Sequence, residues 1–407
     1  MLLKKAPVPQ SRPSWPLRRS DSRSPALDID LFSVESLRNP APTYRAIREA
    51  GRVVWLPRHR VWAIGRFADV RAALKNDELY RNSDAVSFNG LQRPVVRKAA
   101  IGSDGLVHRR RRKVLLQSLG ATALGQLQPV LDATAREVVE DLVTRGTFDG
   151  VGDFASQLPL RVIADMVGVR IDHDHLLAWG RRAFDGNGPL TNRRVLQVTP
   201  TALRIWLYTA RLSQSRVVPG SWASAVLAAG ERGDLTKSEA KNMVVDFILP
   251  SLDTTILAAA QLFWSLGRNP DAWQLLRRSP DLVPSAVVEA VRLASPVRAF
   301  TRRLARDEDI DGVRLHEGER VALLYGSANL DETQFPNPES FDLDRRGGNV
   351  GWGYGAHACV GMHLSKLEME ALLRAMIPRV ESMQVDHPSR LINNGLQGFS
   401  SFRAVFN

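Results

Sequence analysis

Gly351-Trp352-Gly353-Tyr354-Gly355-Ala356-His357-Ala358-Cys359-Val360-Gly361 holds the only cysteine among 407 residues. Glycines at 351, 353 and 355 give a loop that bends sharply and exposes backbone N–H groups, and apolar, helix-forming residues run from Met362 to Met376 directly after it. Cys359 therefore stands just before a helix, where backbone donors and the positive dipole end favour the thiolate, the metal-binding form. One thiolate on one open loop suits a haem iron better than zinc, which needs several Cys or His ligands at set spacings that this chain lacks. Other readings of the same residues stand beside that one. A lone cysteine is commonly a small buried apolar residue. A Gly-rich run before a helix also cradles phosphate, but this one lacks the Lys-Ser/Thr ending and a surrounding βαβ unit.

Composition bounds the rest. With 44% hydrophobic residues the chain can bury a large core, at the upper end of single-domain size. One cysteine excludes an internal disulfide framework and fits a reducing cytoplasm. No uninterrupted apolar run reaches the ~18 residues that suggest a bilayer span. Residues 1–27 are rich in Arg, Lys and Pro without the apolar centre of a signal peptide, which predicts a disordered basic arm before a domain over 28–407. The net charge of +12 suits nucleic acid, a membrane surface or an acidic protein. No recognition motif or aromatic-interleaved basic patch supports nucleic acid.

Helical periodicity dominates the chain, with a hairpin expected for Val53–Leu56 and Val61–Ile64 and another between Gly312 and Leu324 around His316-Glu317-Gly318. Two helices are expected over Ala121–Val167, the second opened by Asp153 and Phe154. In Asp104–Lys113, His108 and Arg112 stand four apart and share a helix face, where two donors can hold a carboxylate. A capping box, Thr236 to Glu239, opens the longest helix, which runs to about Gly267. Within it Asp246, Leu249, Pro250, Asp253, Thr254 and Leu257 fall on one face. Carboxylates on an apolar face are costly unless paired, and Thr254 can instead cap a kink by bonding a carbonyl one turn back. Pro250 removes a backbone donor and crowds the carbonyl of Asp246.

Written as G-W-G-x-G-x-H-x-C-x-G, the cysteine stretch resembles the haem-binding loop of the cytochrome P450 family, the haem-thiolate monooxygenases, in which a Phe usually stands at the Trp352 position. Leu249–Thr255 resembles that family's oxygen-activating segment, with Pro-Ser where Ala-Gly or Gly-Gly is common. The resemblance extends from about Asp28 to the end. It implies a mainly α fold with a smaller β region, and haem b held by Cys359, with His108, Arg112, Arg302, His357 and Gly353 around it. It also implies Asp253 and Thr254 as the proton-delivering pair, and Glu289, Arg292 and Arg345 as a structural triad. With no flavin or iron–sulfur motif in the chain, electrons are expected from a ferredoxin and its reductase. A basic face around Arg109 and Lys113 suits an acidic donor. The alternative is a haem-based gas or ligand sensor, which needs Cys359 but neither Asp253 nor Thr254.

Ser83–Asn89, Phe184–Pro189, Ser295–Val297, Gly326–Asn329 and Asn393–Leu396 are most similar to bacterial members that oxidise or O-demethylate para-substituted benzoates. Those relatives grip a carboxylate with an arginine and serines. Here Asp84 falls at the arginine and Asp246 at a serine, with Ser87 retained, so the pocket (with Leu249, Pro250, Val297 and Phe300) is expected to repel an anion and to take a neutral, phenolic or cationic small aromatic. The Trp352 indole N–H is a further candidate, as a donor to the Cys359 sulfur that would raise the iron's potential.

Overall fold

The computed structural model describes residues 24–83, 85–90, 96–117, 119–189 and 193–407. Its layout follows from one long helix with an apolar circumference. Of the helices around it, five matter for the site: α1 (Gly105–Gln117), α2 (His173–Asp185), α3 (Lys237–Gly267), α4 (Val283–Ala294) and α5 (Met362–Met376). The central helix α3 starts at the expected capping box, with Thr236 and Glu239 satisfying each other's backbone donors. Its far end packs into an aromatic cluster, where the ring of Phe263 lies 4.5 Å from Phe154 and 5.7 Å from Phe402. Rings at such spacings add ~0.5–1.5 kcal/mol per pair beyond the area they bury.

α3 is also long and apolar enough to cross a bilayer by composition, which the run-length argument on the sequence had not allowed for. However, 72% of its apolar window is buried inside the protein, so it is the core's central helix.

Strands β1 (Val54–Leu56), β2 (Val61–Ile64), β3 (Tyr80–Arg81), β5 (Ala299–Leu304) and β8 (Arg320–Leu324) form one sheet in the order β1-β2-β8-β5-β3. A second sheet has β4 (Thr147–Asp149), β10 (Phe399–Phe406) and β9 (Met383–Arg390) in that order, and β6 (Glu308–Ile310) pairs with β7 (Val313–Leu315) alone. With 54% of residues helical and 13% in strands, the fold is mainly α with a smaller β region, in one domain.

The β1–β2 hairpin forms as the sequence suggests, with Trp55 opposite Trp62. The second expected hairpin is displaced. The turn lies at Asp311-Gly312, both in the left-handed region at φ 56° and 76°, and joins β6 to β7, while β8 leaves to pair with β2 and β5. Asp-Gly between short apolar runs is the stronger hairpin signal. Asp153 and Phe154 do not open the α-helix; they lie in a short π-helix, Gly150–Ala155, capped by the Asp149 side chain, and the α-helix starts at Gln157. Nor does order begin only at residue 28, because the backbones of Pro25 and Leu27 already exchange hydrogen bonds with Trp55. Residues 1–23 of the expected arm, and Asp84, lie outside the described residues.

Candidate active site

The glycines of the cysteine stretch are dictated by close approach. Gly355 has φ 69°, and a Cβ there would meet the Leu74 carbonyl oxygen at 2.5 Å. At Gly351 a Cβ would meet the Val291 carbonyl oxygen at 2.9 Å, so the loop is clamped against α4. The amide of Cys359 donates to the Trp352 carbonyl at 2.7 Å, closing the loop three residues before Met362 begins α5. Cys359 is exposed and borders a cavity that it shares with the central helix. Burial pushes its thiol up, while the Gly361 N–H and Arg112 pull the other way. The loop's N–H donor favours the thiolate, as expected, but burial opposes it, and a metal cation held by the sulfur would supply the remaining stabilisation.

Four basic side chains border the same cavity: His108 and Arg112 from α1, Arg302 from β5, and His357 from the loop. The rings of His108 and His357 lie 3.9 Å apart. Burial, with the charges of His108, Arg302 and Arg112, brings His357 down to about 2, so it is neutral, and its Nε2 is buried without a hydrogen-bond partner. Among the described residues no carboxylate pairs with Arg112 or Arg302. A group with acidic tails completes this set, and haem, carrying two propionates beside an iron facing Cys359, fits it. Gly353, at φ 71°, borders the cavity with no side chain to obstruct it.

Across the cavity lies α3. It stays helical through Pro250, and three hydroxyls fold back onto its backbone: Ser251 to the Ile248 carbonyl at 2.9 Å, Thr254 to Pro250 at 2.6 Å and Thr255 to Ser251 at 3.1 Å. Asp253 turns away toward α2, where Arg181 Nε donates to its Oδ1 at 3.0 Å. Its Oδ2 is buried with no partner, and burial, opposed by Arg181, pushes the acid up to about 6. Arg181 is 43% exposed, so the pair links a buried acid to solvent.

Of the predicted pocket residues, Asp246, Pro250, Val297 and Phe300 border the cavity, joined by Phe184, Phe247 and Pro296. Leu249 does not: like Asp253 it lies on the α2 side, where its carbonyl approaches Gly180. The single face expected for α3 was drawn about a residue out of phase. Ser87 does not border the cavity either, and its hydroxyl is spent on the Asn89 carbonyl at 2.7 Å. The Trp352 N–H donates to Ser365 Oγ at 3.0 Å and so is not available to the sulfur.

Glu289, Arg292 and Arg345 form a buried cluster: Arg292 grips both Glu289 oxygens at 2.7 and 2.8 Å, and Arg345 donates to one at 2.9 Å. Arg292 also binds the carbonyls of Asn329 and Pro338, so the cluster ties α4 to the segment leading into the cysteine loop.

Sequence reasoning missed Glu368 on α5. It is 1% exposed, both carboxylate oxygens lack partners, and burial pushes it up to about 8. The signal was present, since Glu368 interrupts an apolar helix face of Leu364, Ala371, Leu372 and Ala375. Arg181 and Asn82, which both face buried acceptors, carried no local signal.

The cytochrome P450 family matches residues 221–396. Cytochrome p450 CYP199A2 of Rhodopseudomonas palustris is 31% identical, with 93% of each chain covered. The chain belongs to the cytochrome P450 family. A steroid C26-monooxygenase of Mycobacterium tuberculosis is 27% identical over 95% of this chain and 98% of its own. The crystal structure of CalO2 superposes with a TM-score of 0.79 at 27% identity, covering 93% of this chain and 98% of that one. As a member of this family the chain is a monooxygenase with a haem cofactor, a small-molecule substrate and a redox partner.

Proposed function

We propose that this P450 is a cytoplasmic, haem b monooxygenase that takes two electrons from a ferredoxin, through a ferredoxin reductase, to hydroxylate or O-demethylate a small aromatic substrate. One observation carries the reading: Cys359 and Thr254 border the same cavity from opposite sides, and a buried acid with a route to solvent lies immediately behind Thr254. Haem, when bound, supplies dioxygen activation and electron storage. The remaining work falls to the chain. His108, Arg112, Arg302 and His357 hold the propionates. Thr254 has given its only proton to the Pro250 carbonyl, so its oxygen offers lone pairs to a cavity water. Asp253 holds a proton at the free Oδ2 and reloads it when Arg181 swings toward solvent. The triad of Glu289, Arg292 and Arg345 holds the loop in place around the cofactor. Phe184, Phe247, Val297 and Phe300 give an apolar wall that suits an aromatic ring.

An acidic ferredoxin is supported by α1, where Leu106, Arg109 and Lys113 are exposed on one face. Arg110 and Arg111, in the same basic run, are instead occupied by Glu239 at 2.7 and 2.8 Å and do not belong to that face. The test is twofold. The reduced, carbon monoxide-bound protein is expected to show the long-wavelength absorption of thiolate ligation. Turnover with NADPH, reductase and ferredoxin is expected to slow as salt rises. Gas binding with no turnover under any donor would favour the sensor instead.

A further inference from the structure

We propose that the pocket is built for a substrate bearing a hydrogen-bond-donating cation, such as an amidinium or ammonium head, which seats on Asp246 with Asn82 as a second acceptor. The inference rests on the monooxygenase reading and specifies what that site binds. Several polar atoms on the α3 side remain unsatisfied. Ser251, Thr254 and Thr255 have each donated their single proton to a helix carbonyl, so all three offer only lone pairs. Asn82 is 1% exposed and gives its amide nitrogen to the Ile101 carbonyl at 2.9 Å, and its Oδ1 is left buried and unpartnered at the cavity wall. The backbone N–H groups of Ala100 and Ile101 lie near Asp246 and favour its ionised form without neutralising it. Among the described residues, this side of the pocket therefore presents acceptors and no free donor.

Asp246 is buried beside the cavity, yet among the described residues no cation pairs with it. The charge acting on it is Arg111 of α1, whose guanidinium is spent on Glu239 at 2.8 Å and on the Arg97 and Ala99 carbonyls, each at 2.8 Å. Glu239, on Asp246's own helix, cancels that charge. The other basic side chains bordering the cavity, His108, Arg112, Arg302 and His357, are those assigned to the haem propionates. A buried carboxyl without a counter-ion protonates, and burial pushes Asp246 up to about 7 despite its two N–H donors. An incoming cation that also donates hydrogen bonds supplies both missing elements. A benzoate supplies neither and adds a like charge.

The sign of the pH dependence follows. Above about 7 Asp246 is ionised, so cation affinity rises with pH through that value; benzoate affinity, if any, rises as pH falls and the acid is neutralised. The test uses the haem-loaded enzyme with para-methoxybenzamidine, para-methoxyphenol and para-methoxybenzoate, read by calorimetry and by the high-spin shift of the ferric haem. The protonated amidine has no lone pair for iron, so ligation does not confuse the readout. At about pH 8 the amidine is expected to bind at least ~10-fold more tightly than the benzoate or the phenol. That preference should shrink toward pH 6 and vanish in Asp246→Asn. Asp246→Ser, with the small side chain of the benzoate-binding relatives, serves if the Asn variant misfolds. Benzoate or phenol binding as tightly as the amidine would overturn the proposal, as would a preference unchanged in both variants. Amidine binding without turnover under any electron donor would sink the monooxygenase reading and leave this one standing.

Discussion

The two walls of the cavity are built by different means. The cysteine wall is fixed by backbone: Gly351 and Gly355 sit where any Cβ collides with a carbonyl, and Cys359 is held by its own amide. The α3 wall is fixed by side chains that turn inward on the helix, leaving two buried acids, Asp246 and Asp253, only partly satisfied. Rigidity concentrates where the cofactor is placed, and unsatisfied polar groups concentrate where protons and substrate are handled. If so, damage to the first wall should remove the cofactor, whereas damage to the second should leave it bound and change the chemistry.

The largest effect is therefore expected from Gly355→Ala. The new methyl meets the Leu74 carbonyl and the left-handed φ of 69° is unfavourable for alanine. Haem content per chain should fall to near zero, with the thiolate band lost from the carbon monoxide spectrum. Full loading would show that the loop can yield and that the cysteine wall is not rigid.

Asp253→Asn should do the opposite. Haem content, the carbon monoxide band and substrate affinity stay unchanged while kcat falls roughly 10²-fold, the scale of a lost proton-transfer group. Consumption of NADPH should continue with less product and more peroxide, and a solvent deuterium effect on kcat should grow. An unchanged kcat would remove Asp253 from proton delivery and equalise the two walls.

The difference between the walls also explains what the sequence reveals. Glycine spacing, the capping box at Thr236 and the lone cysteine are local signals, and each element they mark was found in place. The α3 face was harder because 3.6-residue phasing tolerates a residue of drift, which put Leu249 in the pocket although it does not border the cavity. Arg181 reaching Asp253, Arg111 being spent on Glu239 and Asn82 being left half-satisfied are pairings across 72, 128 and 19 residues. Such pairings are settled by tertiary packing, and local residue order does not carry them.

Glu368 tests whether the cysteine wall carries a titratable liability of its own. Its ordinary value of 4.5 is raised to about 8 in the fold. Between those values the unfolded chain is ionised at this position and the native one is not. Stability contributed here is thus lost as pH rises from about 4.5 through about 8. Glu368→Gln removes that slope and should stabilise the haem-loaded protein by roughly 2 kcal/mol near neutral pH. Thermal unfolding of both forms across pH 5 to about 9 reads this directly. Parallel curves would mean that Glu368 has an unseen partner.

The smallest effect separates packing from electronics at the loop. The Trp352 N–H bonds Ser365, whose hydroxyl in turn donates to the Met362 carbonyl in the first turn of α5. The Lys366 ammonium lies 4.9 Å from the indole centroid, on the same helix. Trp352→Phe keeps a ring but drops this link, and should cost about 1 kcal/mol, a typical hydrogen bond, visible as a small fall in Tm. The reduction potential should not move, because the indole donates to an oxygen and not to the sulfur. A measurable shift in potential would place Trp352 in electronic contact with Cys359. The first wall would then tune chemistry as well as hold the cofactor, and the division of labour between the walls would fail at its narrowest point.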